Sequence, residues 1–381
     1  MEKYSAYRDP GTGVQPFLPL VPPPSNLLVK LSVPLAFLVG GARTVLVLVL
    51  LVVHLILVQV VSVIFIPVPF FHRFVTHIFT AFTARLSLVV LGVYWISVDN
   101  VTRKRGPRGA KDIETWKPRA GDLIVSNWVS WVEILWLAFR FNPIFVLPVA
   151  ESGPSPATPA LTSEAISHTP GRRTGTGSAN ITATSRGVTA RVPILGFRQI
   201  SMVSALRFTG RAPPFGATKT GGPYQSLEDI RKLAGRPIVV FPECTTSNGR
   251  ALLRFADVFQ QKIPVRGYNV FVMCVRYDPP TRFAATLAHS IPTALNPLSH
   301  LFSVASSLAP QAVSIRLLAP SESPSSQLFL ASEVLIGSNE TDQVSDACAA
   351  LIAQIGKMKR TGMGWEDKIS FLQLFHLKEK R

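Results

Sequence analysis

Charge is scarce in this chain, and acidic charge scarcer still. Only 16 % of the 381 residues are Asp, Glu, Lys or Arg, against about 25 % in an ordinary soluble domain. Asp and Glu number 22 against 39 Lys and Arg, which leaves a formal net charge of +17 at pH 7. Cysteine is almost absent: Cys244, Cys274 and Cys348 are widely spaced and form no C-x-x-C pair. Such a scattered, odd set argues against a disulfide scaffold or a structural zinc site and fits a reducing compartment. Apolar residues, by contrast, make up 47 % of the chain. That excludes disorder throughout. It also disfavours a nucleic-acid partner, because basic charge in such proteins accompanies a polar surface. The length suffices for one large domain or two ordinary ones. A basic yet apolar chain suits an anionic membrane surface.

The longest apolar run, Thr44 to Phe70, reads TVLVLVLLVVHLILVQVVSVIFIPVPF. About 20 apolar residues cross a hydrocarbon core as a helix, and this run is longer than that. It exceeds a signal-peptide core, and no A-x-A site follows it. A lesser run, Leu27 to Val39, precedes it across Gly40, Gly41 and Arg43. The pair is either one span with a preface or a hairpin in one leaflet. The alternative, a buried helix of a soluble core, sits poorly with a run that has no polar face. His54 lies inside the run with no evident partner. Basic residues crowd the C-terminal side, from Arg73 through Arg119, so the positive-inside rule puts the long C-terminal part in the cytosol.

From Gly121 the pattern changes to short apolar runs alternating with helical stretches. Strands are expected at Leu123–Ser126, Ile144–Val149, Ile200–Val203, Ile238–Phe241 and Val270–Tyr277. Helices are expected at Ser130–Phe141, Ser226–Ala234, Ala251–Gln261 and around Asp342–Arg360, the last stopped by Lys357, Lys359, Arg360 and Gly362, while Leu298–Leu308 is either a core helix or a surface resting on lipid. Alternation of this kind predicts an α/β layered sheet. Leu86 to Val98 is expected as a membrane-surface helix or a first strand. The tail from Trp365 mixes Trp, Phe and Leu with Lys, as a segment lying on a membrane does. The expected organisation is therefore a tail (1–26), a membrane anchor (27–70), a basic juxtamembrane region (71–120), an α/β domain (121–320) and a C-terminal helical region with a basic tail (321–381). Residues 150–190, rich in Ser, Thr, Pro, Gly and Ala and free of aromatics, read as a disordered insertion.

Two loops carry the chemistry, each following an expected strand, where α/β sheets place ligand sites. The first is Ser126-Asn127-Trp128-Val129-Ser130-Trp131-Val132-Glu133, and the second Phe241-Pro242-Glu243-Cys244-Thr245-Thr246-Ser247-Asn248-Gly249-Arg250. Ser130 and Glu133 also spell a helix capping box, and Asn248-Gly249 an ordinary turn. The second loop resembles the FPEGT signature of the PlsC-like glycerolipid acyltransferases. The first resembles their NHx4D motif, with Asn127, Ser130 and Glu133 at matching spacing. The likeness covers roughly 121–278 and is greatest to the fungal lysophosphatidic acid:oleoyl-CoA acyltransferases.

That resemblance implies an α/β fold of PlsC type, a layered mixed sheet with flanking helices behind an N-terminal membrane helix or hairpin. It implies acylation of lysophosphatidic acid to phosphatidic acid, with acyl-CoA as co-substrate and no further cofactor or metal, on the cytosolic side of the endoplasmic reticulum or a lipid droplet. Asn127, Ser130 and Glu133 then stand as catalytic. Glu243, Thr245, Thr246, Ser247, Asn248, Gly249 and Arg250 bind the lysophospholipid, together with Arg207, near the family's phosphate-binding Arg. Val192–Gly196 resembles the family's lead-in to the strand expected at Ile200–Val203, and Pro264-Val265 the family's last motif. Three departures stand out: Trp128 replaces the catalytic His, Glu133 the Asp, and Cys244 the motif Gly. Indole N–H only donates, so Trp128 cannot take a proton. The base is then Glu133 through a water, or His168 or another distant histidine, or else the chain binds lipid without catalysis. Cys244 as an acyl nucleophile lacks a nearby His to activate it.

Overall fold

Three central strands read as nearly unbroken runs of Val, Ile and Phe, the mark of strands covered on both faces. The computed structural model describes residues 4–103, 114–153, 189–216, 224–335 and 342–379. Seven strands form one mixed sheet: β1 (Ile96–Val101), β2 (Leu123–Ser126), β3 (Ile144–Ala150), β4 (Ile194–Ile200), β5 (Ile238–Val240), β7 (Val270–Tyr277) and β8 (Val313–Leu318), in the order β1-β8-β7-β2-β5-β3-β4. A separate pair joins β6 (Ala251–Leu252) to β9 (Lys359–Arg360). β2 lies between β5 and β7, parallel to both. The loops that leave β2 and β5 therefore emerge at the same edge.

Side-chain alternation sorts the sheet into two packed faces. Leu123, Val125, Val240, Val272 and Cys274 point into one core, which α7 (Gln343–Gly356) covers with Ala347, Leu351 and Ile352. Ile124, Val239, Phe271, Met273 and Val275 point into the other, against α3 (Val132–Phe141), α4 (Met202–Phe208), α6 (Leu298–Ala305) and the end of α2 (Pro69–Val90). The short helix α5 (Leu227–Leu233) adds Ile230 to the first core. α7 thus belongs to the sheet domain and not to a separate C-terminal region.

The N-terminal apolar runs form a single helix. α1 (Leu27–Leu55) passes through Gly40 and Gly41 without a break and continues through a π turn and a 3-10 turn to Phe65. Gly40 has a packing role: a Cβ there would meet the Ser306 backbone at 3.0 Å. Arg43 donates to the carbonyls of Ala305 at 3.2 Å and Ser307 at 2.8 Å, satisfying the end of α6. His54 has a partner after all: its Nδ1 lies 2.9 Å from Thr83 Oγ1 on α2. The segments Leu27–Phe65 (39 residues) and Pro69–Val90 (22 residues) are each long and apolar enough to cross a membrane. α2 occupies much of the stretch expected as juxtamembrane. Leu28, Leu31, Leu38 and Ile64 are each at least 70 % exposed, an apolar surface foreign to soluble monomers.

Several expectations fail for identifiable reasons. The strand expected at Ile200–Val203 stops at Ile200, the last residue of β4, because Ser201 caps α4 by accepting the Ser204 N–H at 3.2 Å. Ala251–Gln261 is no helix. The N–H groups of Leu253, Arg254, Ala256 and Phe259 go to Glu243, Met363, Pro242 and Asp342, which breaks any i→i−4 ladder at those positions. α7 ends at Gly356, where Lys357 turns left-handed at φ 50°; Lys359 and Arg360 are strand residues. Leu86–Val98 splits between the end of α2 and the start of β1. The tail forms α8 (Trp365–Glu379), with Trp365 and Phe371 buried against the domain and not laid on an outer surface. Tyr7 and Phe17 pack on Phe371, so the N-terminal tail is part of the fold. Most of the insertion expected to be disordered, with His168, lies outside the described residues.

Candidate functional site

The turn after β2 is assembled by its own polar groups. Asn127 extends the sheet by one rung: its Nδ2 donates to Val275 O at 2.9 Å and its Oδ1 accepts the Val275 N–H at 2.8 Å. Ser130 Oγ accepts the Val132 N–H at 3.3 Å. Glu133 reaches back so that Oε1 accepts the N–H groups of Val129 (2.5 Å) and Ser130 (2.9 Å), while the Tyr277 hydroxyl donates to Oε2. One of the two bonds of a capping box is present: Glu133 reaches back to the Ser130 N–H, while Ser130 Oγ takes the Val132 N–H and not that of Glu133. Trp128 stacks on Phe241, ring centroids 4.8 Å apart, and its indole N–H is spent on Ser130 O at 3.2 Å.

The loop after β5 meets this turn directly. Glu243 Oε2 accepts the Trp128 N–H at 2.5 Å, and Oε1 accepts the Leu253 N–H at 2.8 Å. Ser247 N–H closes back on Trp128 O at 3.1 Å. Both stretches therefore converge, as the motif reading requires. They converge, however, into a sealed knot and not an open cleft. Thr245 Oγ1 donates to Arg211 O at 2.9 Å, and Thr246 Oγ1 to His289 O. Asn248 Nδ2 donates to the carbonyls of Gln15 (2.7 Å) and Leu18 (2.8 Å), and Ser247 Oγ accepts the Gly249 N–H at 3.2 Å. Glu243, Thr245, Thr246, Ser247 and Asn248 are at most 3 % exposed. The groups offered to a phosphate by the sequence reading are thus engaged by protein. Arg250 is exposed and lines neither cavity described below.

Burial dominates the electrostatics of the knot. It pushes Glu133 up to about 7, against the pull of the Tyr277, Ser130 and Val129 donors, and Glu243 up to about 8, against Trp128 and Leu253. Lys368 on α8 is wholly buried; its Nζ donates to Thr246 O at 2.6 Å, and its pKa falls well below the usual lysine range. Cys244 is buried at φ 57°, the conformation a glycine adopts freely. Burial, with Glu366 and Glu243 near, holds its thiol well above its usual value, so it is no thiolate nucleophile.

Beside the knot lie two cavities that share Arg211 and Ala294 in their walls. The first, about 540 Å³, is mostly apolar and lies between the α1–α2 hairpin and the sheet domain, with Leu50, Ala84, Trp131 and Leu206 in its walls and Arg207 on its lining. The second, about 770 Å³, is lined in part by Arg211, His289, Ser290, His300 and His376. Both volumes suit a small amphiphile. Arg207 and Arg211 are exposed, and among the described residues neither guanidinium has a hydrogen-bond or ion-pair partner. Of the residues expected at the site, Arg207 alone lines either of these two cavities.

Two histidines that sequence reasoning missed flank the β2 turn. His289 N–H donates to Val129 O at 2.9 Å. His300 Nδ1 accepts the Trp131 indole N–H at 2.9 Å, and its Nε2 lies 3.1 Å from Thr286 O. The two rings sit 4.5 Å apart. Neither belongs to a periodic or spaced motif, so no sequence signal marks them. Among the described residues no group of three or more His, Cys, Asp or Glu is placed to hold a metal ion. Comparison with family models, characterised proteins and solved structures yields no match to the chain.

Proposed function

We propose that the chain is a membrane-anchored acyltransferase of PlsC type that transfers an acyl group from acyl-CoA to lysophosphatidic acid, giving phosphatidic acid on the cytosolic face of the endoplasmic reticulum or a lipid droplet. One observation carries the reading: an apolar slot against the α1–α2 hairpin, with Arg207 and Arg211 on its lining, whose guanidiniums have no partner among the described residues. A single-chain anionic lipid has that polarity, an alkyl tail for the slot and a phosphate for the guanidinium forks. The exposed apolar face of the hairpin supports anchoring in a bilayer, and the excess positive charge supports attraction of anionic lipid and CoA. The convergence of the two motif-like loops adds to the likeness.

A second reading is favoured by Trp128, which offers no proton acceptor, and by Glu133 and Glu243, whose oxygens are all engaged. On it the chain binds the lysolipid as a scaffold and transfers nothing. Full-length protein in membranes, given labelled oleoyl-CoA and lysophosphatidic acid, separates the two. Labelled phosphatidic acid above an empty-membrane control supports the enzyme. Saturable lysophosphatidic acid binding without product supports the scaffold.

A further inference from the structure

Acyl transfer to a hydroxyl needs a group that accepts its proton as the oxygen attacks. The β2 turn does not supply one. Trp128 only donates, and Glu133 spends both oxygens on three donors. His300 is also engaged, with both ring nitrogens in hydrogen bonds.

His289 differs. Asn296 Nδ2 donates to the carbonyls of Arg207 (2.8 Å) and Thr209 (2.6 Å), so its Oδ1 is left to accept. His289 Nε2 lies 2.5 Å from that Oδ1 and therefore carries the proton. The tautomer is fixed, and Nδ1 is left with a lone pair that has no partner among the described residues. The ring lines the second cavity. A second feature of that cavity points to a ligand: Ser290 is 3 % exposed, and its buried hydroxyl has no hydrogen-bond partner among the described residues. Buried polar atoms are nearly always satisfied, so the Ser290 hydroxyl, on a residue that lines the cavity, has a hydrogen bond to spare for a ligand or a water. Arg211 belongs to both cavities. A lysolipid with its tail in the first slot and its phosphate on Arg207 and Arg211 would have its head at the wall that the two cavities share.

We propose that His289 is the proton acceptor, replacing from a distant part of the chain the base that position 128 lacks. The inference rests on the acyl-transfer reading. The lysolipid hydroxyl gives its proton to His289 Nδ1 as its oxygen bonds to the thioester carbonyl carbon. The C–S bond then breaks, and the CoA thiolate takes the proton back from the imidazolium. Acyl-CoA and alcohol become ester and free CoA, with the histidine restored. Burial, with Lys368 near, lowers His289 to about 4, so the ring is neutral, as a base must be, in the cytosolic pH range.

The test uses the full-length protein in membranes with labelled oleoyl-CoA and lysophosphatidic acid. His289→Gln is expected to lower phosphatidic acid formation by about 100-fold or more, with lysophosphatidic acid binding kept within a fewfold. His289→Ala is expected to regain part of the loss when free imidazole is added, which a merely structural role would not allow. Should both variants melt early, wild-type protein is treated with diethyl pyrocarbonate. Loss of turnover is then expected to track modification of His289, with lysophosphatidic acid protecting both. An active wild type whose rate survives His289→Gln, or survives full modification of His289, overturns the base and leaves the acyl-transfer reading standing. A wild type that makes no product overturns both.

Discussion

The knot formed by the β2 and β5 loops and the cavities beside it are built from the same kinds of residue, yet they are finished differently. In the knot nearly every donor and acceptor is paired: Glu243 ties Trp128 to Leu253, Glu133 ties the turn to Tyr277, and Asn248 ties the N-terminal segment down. Along the cavity walls the guanidinium groups of Arg207 and Arg211, His289 Nδ1 and the Ser290 hydroxyl have no hydrogen-bond partner among the described residues. Satisfied polar groups hold a structure together, and unsatisfied ones are available to a ligand. The residues that most resemble a catalytic motif therefore hold the fold together, and the groups left open to a ligand belong to their neighbours.

The largest expected effect is on stability. Glu243→Ala strands two buried N–H groups, each costing about 1–3 kcal/mol, so a loss of roughly 3–5 kcal/mol is expected in a denaturant titration. A shift below about 1 kcal/mol would show that the knot is not the fastener it appears from its bonds. Next comes pH. The folded-state values of Glu133 and Glu243 lie above the ordinary 4.5, so the unfolded chain gives up these protons first as pH rises. Their contribution is full below 4.5 and is lost as pH rises through about 7 and 8. His289 and His300, lowered to about 4 and 3 from 6.5, work the other way, and their contribution is lost only as pH falls below 6.5. Above 6.5 the glutamates act without that opposition, and the melting temperature is expected to fall from pH 6.5 to 8.5.

The cavity side of the comparison predicts the reverse pattern. Arg207→Ala or Arg211→Ala is expected to weaken lysophosphatidic acid binding about tenfold, or about 1.4 kcal/mol, while unfolding moves by no more than about 0.5 kcal/mol. Isothermal titration beside a thermal melt reads both; a large loss of stability from either would place that arginine with the scaffold. Smallest is Cys244→Gly. It relieves a left-handed residue worth roughly 1 kcal/mol and removes a buried thiol worth about as much. Stability is expected to stay within about 1 kcal/mol, with turnover unchanged.

Much of this arrangement is legible in the residues. β2 and β7 begin and end where their apolar runs do, because a strand covered on both faces has no other way to hide such side chains. The capping geometry of Ser130 and Glu133 is written in their spacing. Other features are not. Gly40 reads as a separator and serves as a contact, since only the position of Ser306 decides which. Ala251–Gln261 has helix-forming residues whose N–H groups distant carbonyls and Glu243 claim first. Lys368 reads as part of a basic tail and ends wholly buried beneath Thr246.

By itself the order of residues determined the apolar N-terminal helix, the alternation of strand and helix, and the meeting of two loops at one sheet edge. These follow from local periodicity and from the geometry of parallel strands, which any chain with that pattern obeys. Only the folded chain decided which polar groups are consumed and which are left open. His289 gains its place from Val129 and Asn296, and Asn248 loses its availability to Gln15 and Leu18. Hydrogen bonds between residues so far apart along the chain leave no trace in local pattern, because each depends on a distance that exists only after the sheet has formed.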